Sequence, residues 1–383
     1  MRHLDDPTQR VLDGNVAHAL LLRLTKHFLR TPGTIHGVDV VKRRLAQHFL
    51  PNEFYVNDQL IPPDIRTTRN RSGTRKRLLH TLTSTGSILI PKMSLRRSFP
   101  PSSDEIHVAE TAFRILPSLK KAHEEMPKRP EDVSTEKLQN VFIQLHAALS
   151  QHDEYTGRHS QATAEYALFI ADATGYQGCR KTLRFAALLH DIGKLGLNKS
   201  ILIKPKKRTA LEIKLTHKHP DEGADVISVI ESRCRKLLPK NKDDWTKDQQ
   251  EAMEMLATIR EITSAHHELF GGKGYPCGKR GHEIHRGAQI VKFADILDAM
   301  HSDRPYRLQP VPSDIVVAEL KSTIAGEQVD PEMVKKLFPC SVGGDQTSLA
   351  IEESTWLRIQ SVMYHFHRLE LQKIPMLLAR SVY

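Results

Sequence analysis

A chain of 383 residues, 39% hydrophobic and 26% charged, is long enough for two domains and apolar enough for a real core. No run approaches the roughly 18–20 consecutive apolar residues of a membrane helix, and the start, MRHLDDPTQR, lacks a secretory signal's apolar stretch; the expectation is a cytoplasmic protein. The formal charge of +11 favours anionic partners, and the scattered Cys179, Cys234, Cys277 and Cys340 argue against a zinc ribbon or a disulfide framework.

Val11 to Arg30 has helical apolar spacing at Val16, Leu20, Leu24 and Phe28, closed by Thr31-Pro32-Gly33. A second helical stretch runs near Val38 to Phe49. From Asn52 to Pro101 the pattern is mixed, compatible with a few strands or a basic loop. No acidic residue lies between Asp64 and Asp104, whereas Arg66, Arg69, Arg71, Arg75, Lys76, Arg77, Lys92, Arg96 and Arg97 do. That stretch is either a solvated loop or a docking surface for nucleic acid or an acidic partner. A helix over about Asp104 to Glu124 leads to Pro127, Pro130 and Asp132, which read as a linker.

From Ser134 to about Phe338 one helical pattern follows another: Thr135–Ser150, Thr156–Thr174, Thr182–Ile192, Ala288–Ser302, Val316–Ile324 and Pro331–Leu337. β-type alternation is nearly absent, so a helix bundle is expected. The tail from Thr347 carries one more helix, Thr355 to Gln372. The expected protein is mainly α, with three parts. Residues 1–130 form a separate, mostly helical N-terminal domain with room for a few short strands. Residues 131–345 form a bundle domain, and 346–383 a helical tail.

Twenty-one histidines prove little alone; their carboxylate neighbours matter more. In Leu188-Leu189-His190-Asp191-Ile192-Gly193-Lys194 an apolar helix delivers an imidazole and a carboxylate in its last turn. Gly193 suits the left-handed cap that stops it. By itself the dipeptide is as good a capping hydrogen bond as a cation site. His159 in the first turn of its helix, His219 before Pro220, the pair His266-His267, and Asp295 on an apolar helix face extend the set. Together they are enough for two metals with open positions for water and substrate.

The order of these motifs resembles the HD-GYP phosphodiesterases. His190-Asp191-Ile192-Gly193-Lys194 is followed by His219-Pro220-Asp221-Glu222-Gly223. Next come His266-His267-Glu268 with Gly272-Lys273-Gly274-Tyr275-Pro276, then Ala294-Asp295, then Ser302-Asp303-Arg304-Pro305-Tyr306-Arg307. The resemblance covers roughly residues 150–340. It implies an HD-type helical bundle and cyclic di-GMP as substrate. A metal-activated hydroxide would open the ring to linear pGpG, with GMP as a further product in some members. It further implies His159, His190, Asp191 and Asp295 on one metal, and Asp191, His219, His266 and His267 on the other, with Asp191 bridging. Iron or manganese is the expected pair of divalent ions, with zinc, cobalt or nickel as alternatives. Asp191 and Lys194 are the expected catalytic residues. Lys194, Arg304, Arg307 and Tyr275 are expected against substrate; the plainer alternatives are a helix-dipole lysine, over which phosphate binding is favoured, and ordinary salt bridges to Asp303 or Asp298.

The chain departs from the family at three places. Tyr155 stands where members with a third metal carry Glu, which favours two ions. The usual Arg near Gln289 is absent. The span from His219 to His266 is long, with a charged piece over Lys236 to Gln250 that reads as a tolerated surface insertion, a lid or a partner surface. The other readings are an HD phosphohydrolase for another nucleotide, and a silent receptor that binds the dinucleotide or a diguanylate cyclase. For residues 1–130, sensing, homodimerisation and docking of an acidic protein all remain open.

Overall fold

The structure, a computed structural model, describes residues 103–204, 207–301 and 326–337, together with residues 25, 26, 29, 55, 56, 59 and 60. The expected helices Val316–Ile324 and Thr355–Gln372, most of the N-terminal segments, the Arg66–Arg97 stretch, Cys340, and both Arg304 and Arg307 lie outside these residues. Among the described residues, Tyr55–Val56 and Gln59–Leu60 pair antiparallel, and everything from 114 to 337 is helix, turn or loop apart from an isolated bridge residue at Val329. No helix among them is long and apolar enough to cross a membrane.

Helix α1 spans Ser103–Glu125 and α2 Thr135–His152, started by the Ser134 hydroxyl accepting from Lys137 N. Asp153 caps α3, Glu154–Thr174, which ends at Gly175 in the left-handed region (φ 68°). Helix α4 spans Arg180–Leu189, and a 3-10 turn, Ile192–Gly196, follows it. Two short helices, α5 (Lys199–Leu202) and α6 (Ala210–Thr216), come next. Helix α7 runs His219–Leu237, α8 Lys247–Ala265, α9 Arg286–His301 and α10 Pro331–Leu337. The periodicity placed α1, α2, α3, α4, α9 and α10 to within three residues of their observed ends, while α5 to α8 had no expected bounds. His159 falls in the second turn of α3 rather than the first, because the Asp153 cap starts the helix two residues earlier than expected.

Helix α1 lies along α2, α3 along α4 and α9, and α7 along α8. One apolar core joins them, from Ile115, Leu119 and Met126 through Phe142, Ile170, Leu189, Ile230 and Ile259 to Phe293 and Leu337. Leu29 is buried in the same core, and its carbonyl accepts from Arg233 Nη1 on α7 at 3.1 Å. Lys26 pairs with Asp225 on α7 at 2.7 Å.

Residues 238–246 join α7 to α8 through one 3-10 turn, Lys242–Asp244. Its charged residues are exposed, but Trp245 is buried, donates to Pro239 O at 3.0 Å, and lies under the Arg235 guanidinium 4.6 Å from its ring centre. Thr246 and Gln249 then form a reciprocal capping box that starts α8.

Two internal glycines position the site. Gly193 has no left-handed backbone, so the expected cap role is corrected. A Cβ there would sit 2.0 Å from His219 O and 2.8 Å from Gly223 N. The glycine exists because the 3-10 turn and the first turn of α7 touch backbone to backbone. Gly274 is excluded from bearing a side chain in the same way, by Leu269 N at 2.3 Å and Glu268 Cα at 2.5 Å.

His146 of α2 is buried and sits 3.1 Å from Gly157 O of α3, so its Nε2 donates across the helix junction. Burial pulls its pKa down to about 4, the hydrogen bond offsetting only part of this. Its folded pKa lies below the unfolded value, so the unfolded chain takes the proton first as pH falls. Its contribution is therefore complete above about pH 6.5 and is lost progressively toward pH 4, on the order of 3 kcal/mol. Denaturant unfolding of metal-free protein should show less acid destabilisation between pH 7.5 and 4.5 in His146→Gln than in the parent. Equal losses would count against this account.

Candidate metal centre

Helices α4 and α8 end immediately before His190 and His266, α6 ends three residues before His219, and each end holds a ring. His190 Nδ1 lies 2.7 Å from Ala187 O of α4. His219 Nδ1 lies 2.6 Å from Thr216 O of α6, and His266 Nδ1 lies 2.7 Å from Thr263 O of α8. The carbonyls are those a helix C-terminus leaves without an intrahelical partner. A carbonyl only accepts, so in each ring Nδ1 carries the proton and Nε2 presents its lone pair to the interior.

Those lone pairs converge. His159, His190 and Asp191 form one group and His219, His266 and His267 another, with the ligating atoms of each group within 4.8 Å of one another. Asp191 stands between them. Its Oδ2 is 3.3 Å from His190 Nε2 and 3.9 Å from His159 Nε2, and its Oδ1 is 3.1 Å from His219 Nε2. Asp295 Oδ1 closes the first group, 3.2 Å from His159 Nε2.

The electrostatics favour cations here. Burial pushes the Asp191 carboxyl up, but His190 and Lys194 outweigh it and hold the group well below the usual carboxylate range. Asp295 is likewise held well below that range, burial being outweighed by His159 and Lys292. Burial lowers His219, and burial with neighbouring imidazoles lowers His266 and His267 well below the ordinary histidine value. Burial also pulls His159 down, but Asp298 and Asp295 raise it to about 9. Asp191 and Asp295 are therefore ionised and His219, His266 and His267 neutral, whereas His159 holds a proton between Asp295 and Asp298.

Two observations make the fit to metal specific. His219 Nε2 and His266 Nε2 are only 3.2 Å apart, yet both protons are committed to backbone carbonyls on the other side of each ring. Asp191 Oδ1 is buried with no hydrogen-bond donor. Lone pairs facing each other in a dry interior repel, and a shared cation removes the penalty. Nitrogen and oxygen donors at these separations suit two divalent ions.

Asp298, not anticipated as part of the site, accepts from His159 Nδ1 at 2.5 Å. It lies one turn beyond Asp295 on α9, and that i, i+3 spacing was the available cue. Removing it in Asp298→Ala should weaken one of the two metals about 10- to 100-fold, read by competition against a chelator. Equal weakening of both, or of neither, would contradict the assignment. Lys292, one turn before Asp295, was also missed; its Nζ is 3.7 Å from Asp295 Oδ2.

Lys194 Nζ sits 2.5 Å from Asp191 Oδ2, with a fifth of the side chain exposed. Tyr275 is half-buried; its ring stacks on His267 at 4.8 Å (18°), and burial raises its phenol so that it stays protonated. The buried Glu268 holds the loop beneath it, accepting from Cys277 N at 2.6 Å and Lys279 N at 3.0 Å. At the third-metal position, the Tyr155 ring lies parallel to His159 at 6.4 Å. Asp153 accepts from Thr156 N and Oγ1, and Glu154 is exposed. Gln289, where the family's Arg was missed, donates to Gly281 O and Ile284 O.

Residues 144–332 match the HD domain family. Over 179 residues, 46% of this chain and 34% of the relative, the sequence is 35% identical to a 3'3'-cGAMP-specific phosphodiesterase of Vibrio cholerae. It is 32% identical over 224 residues (57% of this chain, 55% of the relative) to a cyclic di-GMP phosphodiesterase of Thermotoga maritima. It is 35% identical over 171 residues (44% and 35%) to one of Pseudomonas aeruginosa. The chain thus spans about a third to a half of the length of these relatives. Residues 144–332 thus carry an HD domain whose relatives include bacterial cyclic di-GMP and 3'3'-cGAMP phosphodiesterases.

Proposed function

We propose that this chain is a metal-dependent phosphodiesterase that opens cyclic di-GMP to linear pGpG. The observation that carries the reading is Asp191, whose two oxygens face two separate groups of imidazole nitrogens in a buried site. Divalent ions held there supply Lewis-acid charge for the phosphodiester and make a bound water more acidic. The imidazole and carboxylate donors suit iron or manganese, with zinc, cobalt and nickel as alternatives. His159, His190 and Asp295 complete one ligand set with Asp191, and His219, His266 and His267 the other.

The remaining groups bind and orient. Lys194 exchanges its contact with Asp191 for a non-bridging phosphate oxygen when substrate enters. Asp298 keeps the His159 ring turned with Nε2 inward. Tyr275, held by Glu268 through its loop, forms the wall beside His267. Arg304 and Arg307 clamp phosphate, for which planar guanidinium is well shaped.

A second substrate, 3'3'-cGAMP, is favoured by the 35% identity to the Vibrio cholerae enzyme of that specificity. The test is anaerobic purification of the full chain, metal analysis, and turnover of cyclic di-GMP, 3'3'-cGAMP and a 3',5'-cyclic mononucleotide, with products separated by chromatography. Fastest conversion of cyclic di-GMP to pGpG supports the proposal, and fastest conversion of 3'3'-cGAMP the second reading. Turnover of the mononucleotide alone, or tight dinucleotide binding without turnover by metal-replete protein, overturns both.

A further inference from the structure

Tyr275 stands half-buried beside the two imidazole groups. That ring stacks on His267, a metal-facing imidazole, and it also stacks on His217, with centroids 4.0 Å apart and planes within 14°. Three near-parallel rings thus lead from the metal group to the surface. His217 itself is exposed. One face of its ring is covered by Tyr275, which leaves the other open to solvent, and its nitrogens belong to neither ligand group.

The ring is also rigidly mounted. His217 is the C-cap of α6 in helical conformation, with its N–H donated to Ile213 O at 2.9 Å, and two residues later His219 enters the metal group. Tyr275 is tied back by its own N–H to His267 O at 3.2 Å and by the Glu268 carboxylate under the loop. An exposed aromatic ring stacked on a tied-back tyrosine, two ring spacings from a metal-facing imidazole, is the kind of surface a nucleobase uses. Stacking on such a face is tolerant of base identity because every base has a π-face.

We infer that His217, backed by Tyr275, is a stacking platform for a purine base of a nucleotide whose phosphate lies at the metals. This rests on the reading of the site as one for a nucleotide phosphodiester. The platform contributes binding and placement, and it works through the ring face rather than through charge. It fits guanine and adenine alike, so it accounts for affinity and leaves discrimination between cyclic di-GMP and cGAMP to other groups.

The test compares metal-loaded full-length parent, His217→Ala and His217→Phe. Binding of GMP and of ribose 5-phosphate, which has the same sugar phosphate without a base, is measured by calorimetry, alongside KM and kcat for cyclic di-GMP. His217→Ala should weaken GMP about tenfold and leave ribose 5-phosphate unchanged, with KM rising by a similar factor. His217→Phe should restore GMP binding, since it keeps the ring and removes the titratable nitrogens. Unchanged GMP affinity in His217→Ala overturns the inference. So does equal weakening of both ligands, or loss of metal, because either would make His217 a structural support of the centre. If the parent binds GMP in a His217-dependent way yet fails to turn over any cyclic dinucleotide, the proposed activity falls and the platform stands.

Discussion

Asp191→Asn should abolish activity, with kcat/KM falling on the order of 10³-fold or more and metal content dropping for both ions together. The amide has nearly the shape of the carboxylate but no charge, and only one of its two polar ends can face a cation. The parent needs both ends, since Oδ2 faces His190 and His159 while Oδ1 faces His219. Without the shared ligand neither ion is held tightly, and the shift of a bound water's pKa from 15.7 toward about 7 is lost. In metal-free protein the change loses the Lys194 ion pair but relieves an unpartnered oxygen, so its effect on stability should be smaller than in metal-loaded protein. Asp191 Oδ1 is buried without a donor, and an amide N–H supplies one to the His219 lone pair. Thermal unfolding with and without added metal separates the two effects. The parent should be stabilised by metal and the variant not. Activity within tenfold of the parent, with both ions retained, would remove Asp191 from the bridging position.

Gly193→Ala should be the most damaging change outside the ligands. The new methyl would lie 2.0 Å from His219 O, 2.9 Å from His219 C and 2.8 Å from Gly223 N, all backbone atoms that no rotamer can move aside. Either the 3-10 turn carrying Lys194 or the first turn of α7 must shift. We expect a loss of about 2–4 kcal/mol in denaturant unfolding, together with weakened metal binding at the His219, His266 and His267 group. Gly175→Ala is the natural comparison. That glycine has φ 68° and nothing within 4 Å of its would-be Cβ, so the penalty is backbone strain alone, about 1–2 kcal/mol, with metal binding intact. If the two variants behave alike, close approach is not the reason for Gly193.

Much of this was readable from residue order alone. The mainly helical architecture followed from spacing: Pro331–Leu337 matches its expected bounds, and Thr135–Ser150 is extended by only two residues to His152. The ligand types were also readable, because His190-Asp191, His219, His266-His267 and Asp295 stand at helix ends or on an apolar face. Periodicity and capping act over a few residues, so they survive in a one-dimensional pattern.

Other features had no local signature. Asp298 and His159 are 139 positions apart, and nothing near either residue names the partner. The charged run over Lys236 to Gln250 read as a surface insertion and its charged residues are exposed, but the buried Trp245 that anchors it carries little periodic signal. Gly193 looked like a helix cap, since a glycine after a helix is most often that; its actual neighbour is the backbone of α7.

By itself, then, the sequence determined the helical class, the inventory of side chains that could hold a metal and the turns that present them, since each is encoded within one or two helical turns. Only the tertiary structure decided which nitrogen of each ring faces inward, that Asp298 orients His159, and that a stack of rings leads from His267 out to His217. Those outcomes depend on angles and close approaches between elements distant in the chain, and the packing of one core sets them all at once.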